Sequence, residues 1–412
     1  MTLLKLCDRI TFYSLAFIIF FLPIYNSYAS IGIGLAIFCY LIKTFLDFKR
    51  GANRKEFTAY TCGALKYPIF LFLVISVLSL FNSCDVSLSF VGLRKLAMYF
   101  FVFLAIVCGI ADIKRLKRLI SILILSALIV SLDGFWQYST GTDWFSSRPL
   151  MAYPHLGIKR VTASFWQAGS LGIYLGAVIP ISFSLFLFYA KGIKKTALGI
   201  TTLVLLFTLI LSFTPGAAFG VYAAILYFAC VKRGWRLALF LILGILLGYF
   251  LLPESLTSWP NGSLFQTIFG RIKMWAIAVK MIKMHPILGN GLHTFGVNYQ
   301  KFCVPGDPYY GLGPPYAHNM YLQMAVEIGL LGLLSFLALM AEVFKKLWEV
   351  YKTTQERFVQ TLSLGLMGSF IAYLTHGMLE SSIYTSQGAL LFWILLGFSI
   401  SLVNFKAGVD FQ

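Results

Sequence analysis

Ala317-His318-Asn319 and the run it opens, MYLQMAVEIGLLGLLSFLALMAEVFKKL (residues 320–347), decide the fold of this chain. The run exceeds the roughly 20 apolar residues that cross a bilayer as a helix, and Glu327 is the main charge in its middle. A histidine and an asparagine therefore stand where a loop becomes a membrane helix. Gly329 and Gly332 follow about three turns in, at i,i+3, a spacing that predicts one shared helix face. A helix N-terminus offers unpaired backbone N–H groups and the positive end of the dipole, which suits a diphosphate. A histidine held there is placed to accept a proton; otherwise it is an interfacial anchor or a helix-end hydrogen-bonding group.

Composition says the same of the whole chain. Of 412 residues, 59% are hydrophobic and 12% charged, with a mean hydropathy of +0.82. A soluble protein carries about twice that charged fraction. The apolar runs are helix-length, which excludes a barrel of short alternating strands and predicts an all-α polytopic integral membrane protein. The net charge of +18 would fit nucleic acid, but its placement excludes that partner. The basic residues lie in short clusters between apolar runs, as topology signals and contacts to membrane lipids do. The seven cysteines show neither metal nor disulfide spacing, and only Cys84 and Cys303 fall in outward loops.

About twelve spans are predicted, near 10–25, 29–47, 67–81, 95–111, 116–136, 169–190, 196–213, 216–231, 236–252, 319–346, 358–379 and 386–404. Lys5, Arg9 and the small residues at Ser27-Tyr28-Ala29 imitate a signal peptide, but a second apolar run follows at once and favours an uncleaved first span. Alternate loops collect Lys49 to Lys55, Lys114 to Arg118, Lys191 to Lys195, Lys232 to Arg236 and Lys345 to Arg357. The positive-inside rule makes those loops and both termini cytoplasmic. The chain thus reads as a single membrane domain, 1–412, with 253–317 a large outward loop between the ninth and tenth spans, periplasmic if the membrane is the one the resemblance given below implies.

Function is expected in the long outward loops, 137–168 and 253–317, because unstructured length in a compact protein usually serves a site. From Ile268 to His285 the second loop reads as an amphipathic helix, ended by Pro286 and Gly289-Asn290-Gly291. Lys273, Lys280 and Lys283 share one face, which fits anionic headgroups. Arg271 falls on the opposite face over Trp275, Ala278 and Ile282, where it should meet the protein; a snorkelling or capping arginine is the plain alternative. The first loop offers Arg148, His155, Lys159 and Arg160 among interfacial aromatics, with Arg160 the stronger candidate for a phosphate and Lys159 beside it. Arg94, Lys95, Asp133, His376 and Glu380 also fall at outer ends of spans. Arginines bind phosphate oxygens bidentately and stabilise the charge that grows as a diphosphate leaves. With no carboxylate or His/Cys cluster at metal spacing in these loops, arginines are expected to replace a divalent cation, and no cofactor is expected.

His318-Asn319, nine residues, then Gly329 and Gly332 resembles the signature of the O-antigen ligase family of bacterial inner membranes. Gly270-Arg271 with Trp275, the stretch His285-Pro286-Ile287-Leu288-Gly289-Asn290-Gly291 with Phe295, and Arg160 to Phe165 are similar to further stretches of that family. The resemblance covers about residues 150–340 and departs from the family at Thr214-Pro215-Gly216, where many relatives carry Ser-Arg-Gly. It implies a GT-C-like membrane glycosyltransferase that moves a polysaccharide from undecaprenyl diphosphate to a sugar hydroxyl of lipid A–core, without metal and with inversion. His318 would be the general base, Arg160 and Arg271 would hold the diphosphate, Asn319 would orient the histidine or the acceptor, and Lys159 and Arg94 would join them on substrate. Polymerases and protein O-glycosylating ligases share this fold and donor, so a growing glycan or a protein is the alternative acceptor. A flippase for the same lipid is the competing class; it predicts paired broken helices and mid-membrane polar sites in two related halves.

Overall fold

Four of the described helices begin at a capping side chain. The structure, a computed structural model, describes residues 3–49, 65–153, 158–232, 234, 263–312 and 316–406. Within them the chain forms α1 (Leu3–Phe21), α2 (Asn26–Lys49), α3 (Lys66–Leu78), α4 (Val86–Gly109), α5 (Ile113–Thr140) and α6 (Ala168–Phe188). It continues with α7 (Gly192–Leu211), α8 (Pro215–Lys232), α9 (Ser263–Met284), α10 (Phe295–Tyr299), α11 (Met320–Thr353), α12 (Arg357–His376) and α13 (Ser386–Lys406). Asp85, Asp112, Asn319 and Glu356 cap α4, α5, α11 and α12, their side-chain oxygens accepting backbone N–H groups of the first turn. Apart from a hairpin of β1 (Met151–Tyr153) and β2 (Ile158–Arg160), the described fold is helical.

Among the described residues, nine helices are long and apolar enough to cross a membrane, which makes this an all-α polytopic membrane protein. Of the twelve expected spans, that at 10–25 falls on α1, whose first turns carry Lys5, Asp8 and Arg9. That at 67–81 falls on the shorter apolar helix Lys66–Asn82, and that at 236–252 lies outside the described residues. Packing sorts the helices. In the apolar window of α13, 89% of the residues are buried, against 22% in α7, so α13 is central and α7 faces lipid. Small residues bring backbones together: a Cβ on Gly220 of α8 would collide with the Ala372 carbonyl of α12.

The basic loops gather at one end of the helices. There Lys117 pairs with Glu356 at 3.3 Å, Arg357 Nε donates to the Phe188 carbonyl at 2.7 Å, and Lys232 lies over Phe188 and Tyr351. The described parts of the long loops, with the candidate residues, lie at the other end.

The shared face predicted for Gly329 and Gly332 is corrected by the structure, because α11 is broken at Gly329 (φ 73°, ψ 178°). In an unbroken helix the Val326 and Glu327 carbonyls would accept from the N–H groups of Leu330 and Leu331. Residues 286–291 insert between those partners instead. Asn290 N donates to Val326 O at 2.8 Å and Gly291 N to Glu327 O at 2.9 Å. In return Leu330 N donates to Pro286 O at 2.8 Å and Leu331 N to Ile287 O at 3.3 Å. Asn290 Nδ2 adds bonds to Val326 O and Met281 O, tying the end of α9 to the break. Glycine is required because a Cβ on Gly329 would run into the Ile287 carbonyl, at a φ that L side chains rarely adopt.

Candidate functional site

The His318 backbone is held in place by the residues on either side of it. Ala317 is buried; its N–H donates to Gln323 Oε1 at 3.1 Å, and its carbonyl accepts from Trp275 Nε1 at 3.1 Å. Asn319 Oδ1 accepts from the N–H groups of Tyr321 and Leu322, and Met320 N donates to Gly377 O at 2.7 Å. Between these anchors the His318 backbone takes φ 50°, a left-handed conformation that costs on the order of 1 kcal/mol and persists only where the surroundings impose it.

The imidazole meets Glu380. His318 Nδ1 lies 2.8 Å from Glu380 Oε2, and Arg271 reaches the same carboxylate from α9, Nη2 to Oε1 at 2.7 Å. Arg271 Nη1 also donates to the Leu379 carbonyl at 2.6 Å, so its guanidinium grips both the carboxylate and the backbone that presents it. Burial pushes the Glu380 carboxyl up. The hydrogen bond from His318 and the charges of His318, Arg271 and His376 outweigh it and hold the group below the usual glutamate value. A carboxylate on Nδ1 fixes the ring and leaves Nε2 as the free nitrogen, the arrangement in which imidazole serves as a base.

On α9, Lys273, Lys280 and Lys283 are exposed and Ala278 is buried, as the helical wheel predicts; Trp275 and Ile282 are half-buried, and the fully buried face is turned towards Met274, Ile277 and Met281. Arg271 therefore packs towards the protein. Its partners come from the turn after α12, 108 and 109 residues downstream.

Arg160 ends the β-hairpin, and Gln137 fixes the segment that follows. Gln137 Oε1 accepts from the N–H groups of Thr162 and Ala163 at 2.9 and 2.8 Å. Arg160 Nε donates to the Ser212 carbonyl at 3.1 Å, at the entrance of the turn Thr214-Pro215-Gly216. That turn packs against the end of α12: a Cβ on Gly216 would stand 2.8 Å from His376 Cδ2 and 3.3 Å from Leu379 Cβ, next to Glu380 in the chain. Arg160 and the His318–Glu380–Arg271 chain are thus joined by one short stretch of backbone. Pro215 opens α8, where a missing N–H costs nothing. His376 is buried, its Nδ1 3.3 Å from Ser382 Oγ.

The other expected residues lie apart or are already engaged. The Asn319 side chain is used in the cap and in a bond from Nδ2 to Met378 O at 3.1 Å, so it holds the turn after α12 against α11. Lys159 is exposed on β2. Arg94 is exposed on α4 and lines a separate cavity. His155 lies outside the described residues. Asp133 is buried and accepts from Trp144 N at 2.6 Å, a role in framing the first loop. Glu380 is the residue whose weight the sequence understated. Its signal was a lone carboxylate just past a span end, 62 residues from the histidine it touches. Among the described residues, no group of three or more His, Cys, Asp and Glu stands together as metal ligands.

The chain is similar to several known proteins. Residues 162–337 match the family model described as O-antigen ligase. An O-antigen ligase of Pseudomonas aeruginosa is 32% identical over 135 residues, which is 32% of this chain and 29% of that protein's length. A chain from a solved structure titled "Structural coordination of polymerization and crosslinking by a peptidoglycan synthase complex" superposes with a TM-score of 0.46 at 14% identity. That superposition covers 84% of this chain and 98% of the other.

Proposed function

With the chain assigned to the O-antigen ligase family by residues 162–337 and by its Pseudomonas aeruginosa relative, we propose that it transfers a glycan from undecaprenyl diphosphate to a sugar hydroxyl of lipid A–core. The site faces the periplasm in this reading, and the protein sits in the bacterial inner membrane. The observation that carries the proposal is the chain His318–Glu380–Arg271 at the mouth of α11.

In the reaction, the acceptor oxygen attacks the anomeric carbon while its proton passes to His318 Nε2. The bond from that carbon to the diphosphate oxygen breaks, its electron pair stays on the diphosphate, and attack from the opposite face inverts the centre. Glu380 orients the imidazole and offsets the positive charge that forms on it. Arg271 gives one of its five N–H groups to Glu380 and one to the Leu379 carbonyl, and offers the others, with Arg160, to the leaving diphosphate. Asn319 positions the histidine through the cap, and Lys159 adds positive charge beside Arg160. No metal is needed when guanidinium groups take up the leaving charge.

The test is transfer in a reconstituted assay with donor and acceptor. His318→Ala and His318→Gln are expected to lose about 10²–10⁴-fold in turnover, the contribution of a positioned base, and to keep donor binding. Retained turnover with weakened donor binding would make His318 a phosphate ligand and remove it from the proton transfer.

A further inference from the structure

A second charged constellation lies on α4, away from His318. Arg94 and Lys95 stand nine residues into that helix, about 14 Å from its start at roughly 1.5 Å per residue. Paired cations inside an apolar span are rare and usually mark a substrate path. None of the ion pairs among the described residues involves either of them. Lys95 Nζ instead contacts His293 Nε2 at 3.4 Å. His293 N donates to the buried Glu327 at 2.7 Å, next to the break in α11.

These cations line a cavity of about 300 Å³ between α2, α4 and α13. Its polar wall includes Ser30 and Ser386; its apolar wall is Ile33, Met98 and Leu390. Two positive groups and hydroxyls on one side, with aliphatic side chains on the other, match an anionic headgroup and the lipid that carries it. A free phosphate would leave the aliphatic half unused.

The cavity also backs onto the reaction centre. From the Glu327 that His293 contacts, the hydrogen bonds run on to Gln323, whose Nε2 donates to Glu327 at 3.2 Å and whose Oε1 accepts from Ala317 N at 3.1 Å, one residue before His318. The residues proposed for the donor diphosphate stand on other elements, Arg271 on α9 and Arg160 on β2 beside the turn before α8. A base between two lipid substrates needs one of them on each side.

Resting on the function proposed above, we infer that the Arg94–Lys95 cavity seats the phosphate-bearing headgroup of the acceptor lipid. Its connection through His293, Glu327 and Gln323 to Ala317 sets the acceptor hydroxyl towards His318.

The experiment uses the full chain in nanodiscs and two probes, a phosphorylated lipid A–core acceptor and its enzymatically dephosphorylated form. Binding of each is measured without donor, and KM for donor and acceptor with it. Arg94→Gln with Lys95→Gln is expected to weaken binding of the phosphorylated acceptor and raise its KM about tenfold or more, the worth of charge-assisted bonds. The dephosphorylated acceptor should already bind weakly to the unaltered protein and lose little further. Met98→Trp, which fills the cavity and keeps both charges, should reproduce the loss; Lys95→Arg should restore it in part. Lys280→Gln, from the exposed face of α9, controls for total charge. A rise in donor KM in place of acceptor KM would overturn the inference, as would equal losses for both acceptor forms or equal displacement by phosphatidylglycerol. Should the unaltered chain transfer nothing yet bind the phosphorylated lipid through Arg94 and Lys95, the ligase reading fails and the seat stands.

Discussion

Glu380 joins two residues that the sequence sets far apart, and its carboxylate governs what the histidine can do. Replacing it by Gln keeps the shape but removes the charge and lets the ring turn to the wrong tautomer. Turnover is expected to fall by about 10²–10⁴-fold, with donor affinity little changed, in the reconstituted transfer assay. Arg271→Ala should cost both orientation and leaving-group stabilisation. Arg271→Lys keeps the charge without the fork that spans Leu379 O and Glu380, so it should recover only part of the loss. Acid should act on the same clamp. Because the Glu380 carboxyl is held below its ordinary value of 4.5, its stabilising contribution is complete above that value and is lost as pH falls through the lower, folded one. The melting difference between the unaltered protein and Glu380→Gln is therefore expected to hold from pH 8 to about 4.5 and to close below it; closure already near pH 6 would contradict the clamp. His318 and Arg271 were legible in the sequence because each breaks a local pattern, a histidine at a helix mouth and a cation on a packed face. Glu380 breaks none. A single acid after a span reads equally well as a cap or a loop residue, and only the tertiary fold brings it to its partners.

At the scale of elements, the clamp between 286–291 and α11 makes sense of a glycine spacing that the sequence displayed without its reason. Gly329 and Gly332 were read as one face of a continuous helix because periodicity reports helix and is blind to one residue of non-helical backbone. The two glycines should differ on substitution. Gly329→Ala meets both the left-handed φ and the Ile287 carbonyl, and should cost about 3 kcal/mol or more, read as lost thermal stability in detergent. A Cβ on Gly332 meets only the flexible Ile328 side chain of its own helix, so Gly332→Ala should be milder. Asn290→Ala removes a side chain that donates to both Met281 O and Val326 O, and should loosen the clamp by roughly 1–3 kcal/mol. Equal melting of Gly329→Ala and Gly332→Ala would show that the break is not a fixed feature.

For the whole molecule, the nine long apolar helices among the described residues were legible because bilayer thickness sets the length of an apolar run. Depth and partnership were not. Arg94 and Lys95 looked like span-end residues, yet they lie well inside α4, because an Asp85 cap starts that helix about nine residues earlier than hydropathy marks it. A cysteine placed at Lys273 is expected to react with an impermeant maleimide in cells whose outer membrane alone is opened. One placed at Lys114 should react only after the inner membrane is breached, and the reverse pattern would invert the site. Transfer is further expected to survive EDTA; strict dependence on added Mg²⁺ or Mn²⁺ would take the arginines out of their role.

The broken α11 also bears on how the chain is assembled. Threaded into lipid on its own, this helix would carry two bare carbonyls and two bare amides, each costing several kcal/mol in hydrocarbon. The segment that satisfies them leaves the ribosome first, since 286–291 precedes α11 in the chain. Translation order thus supplies the splint before the fracture, and a circular permutant that reverses it should stall at the translocon.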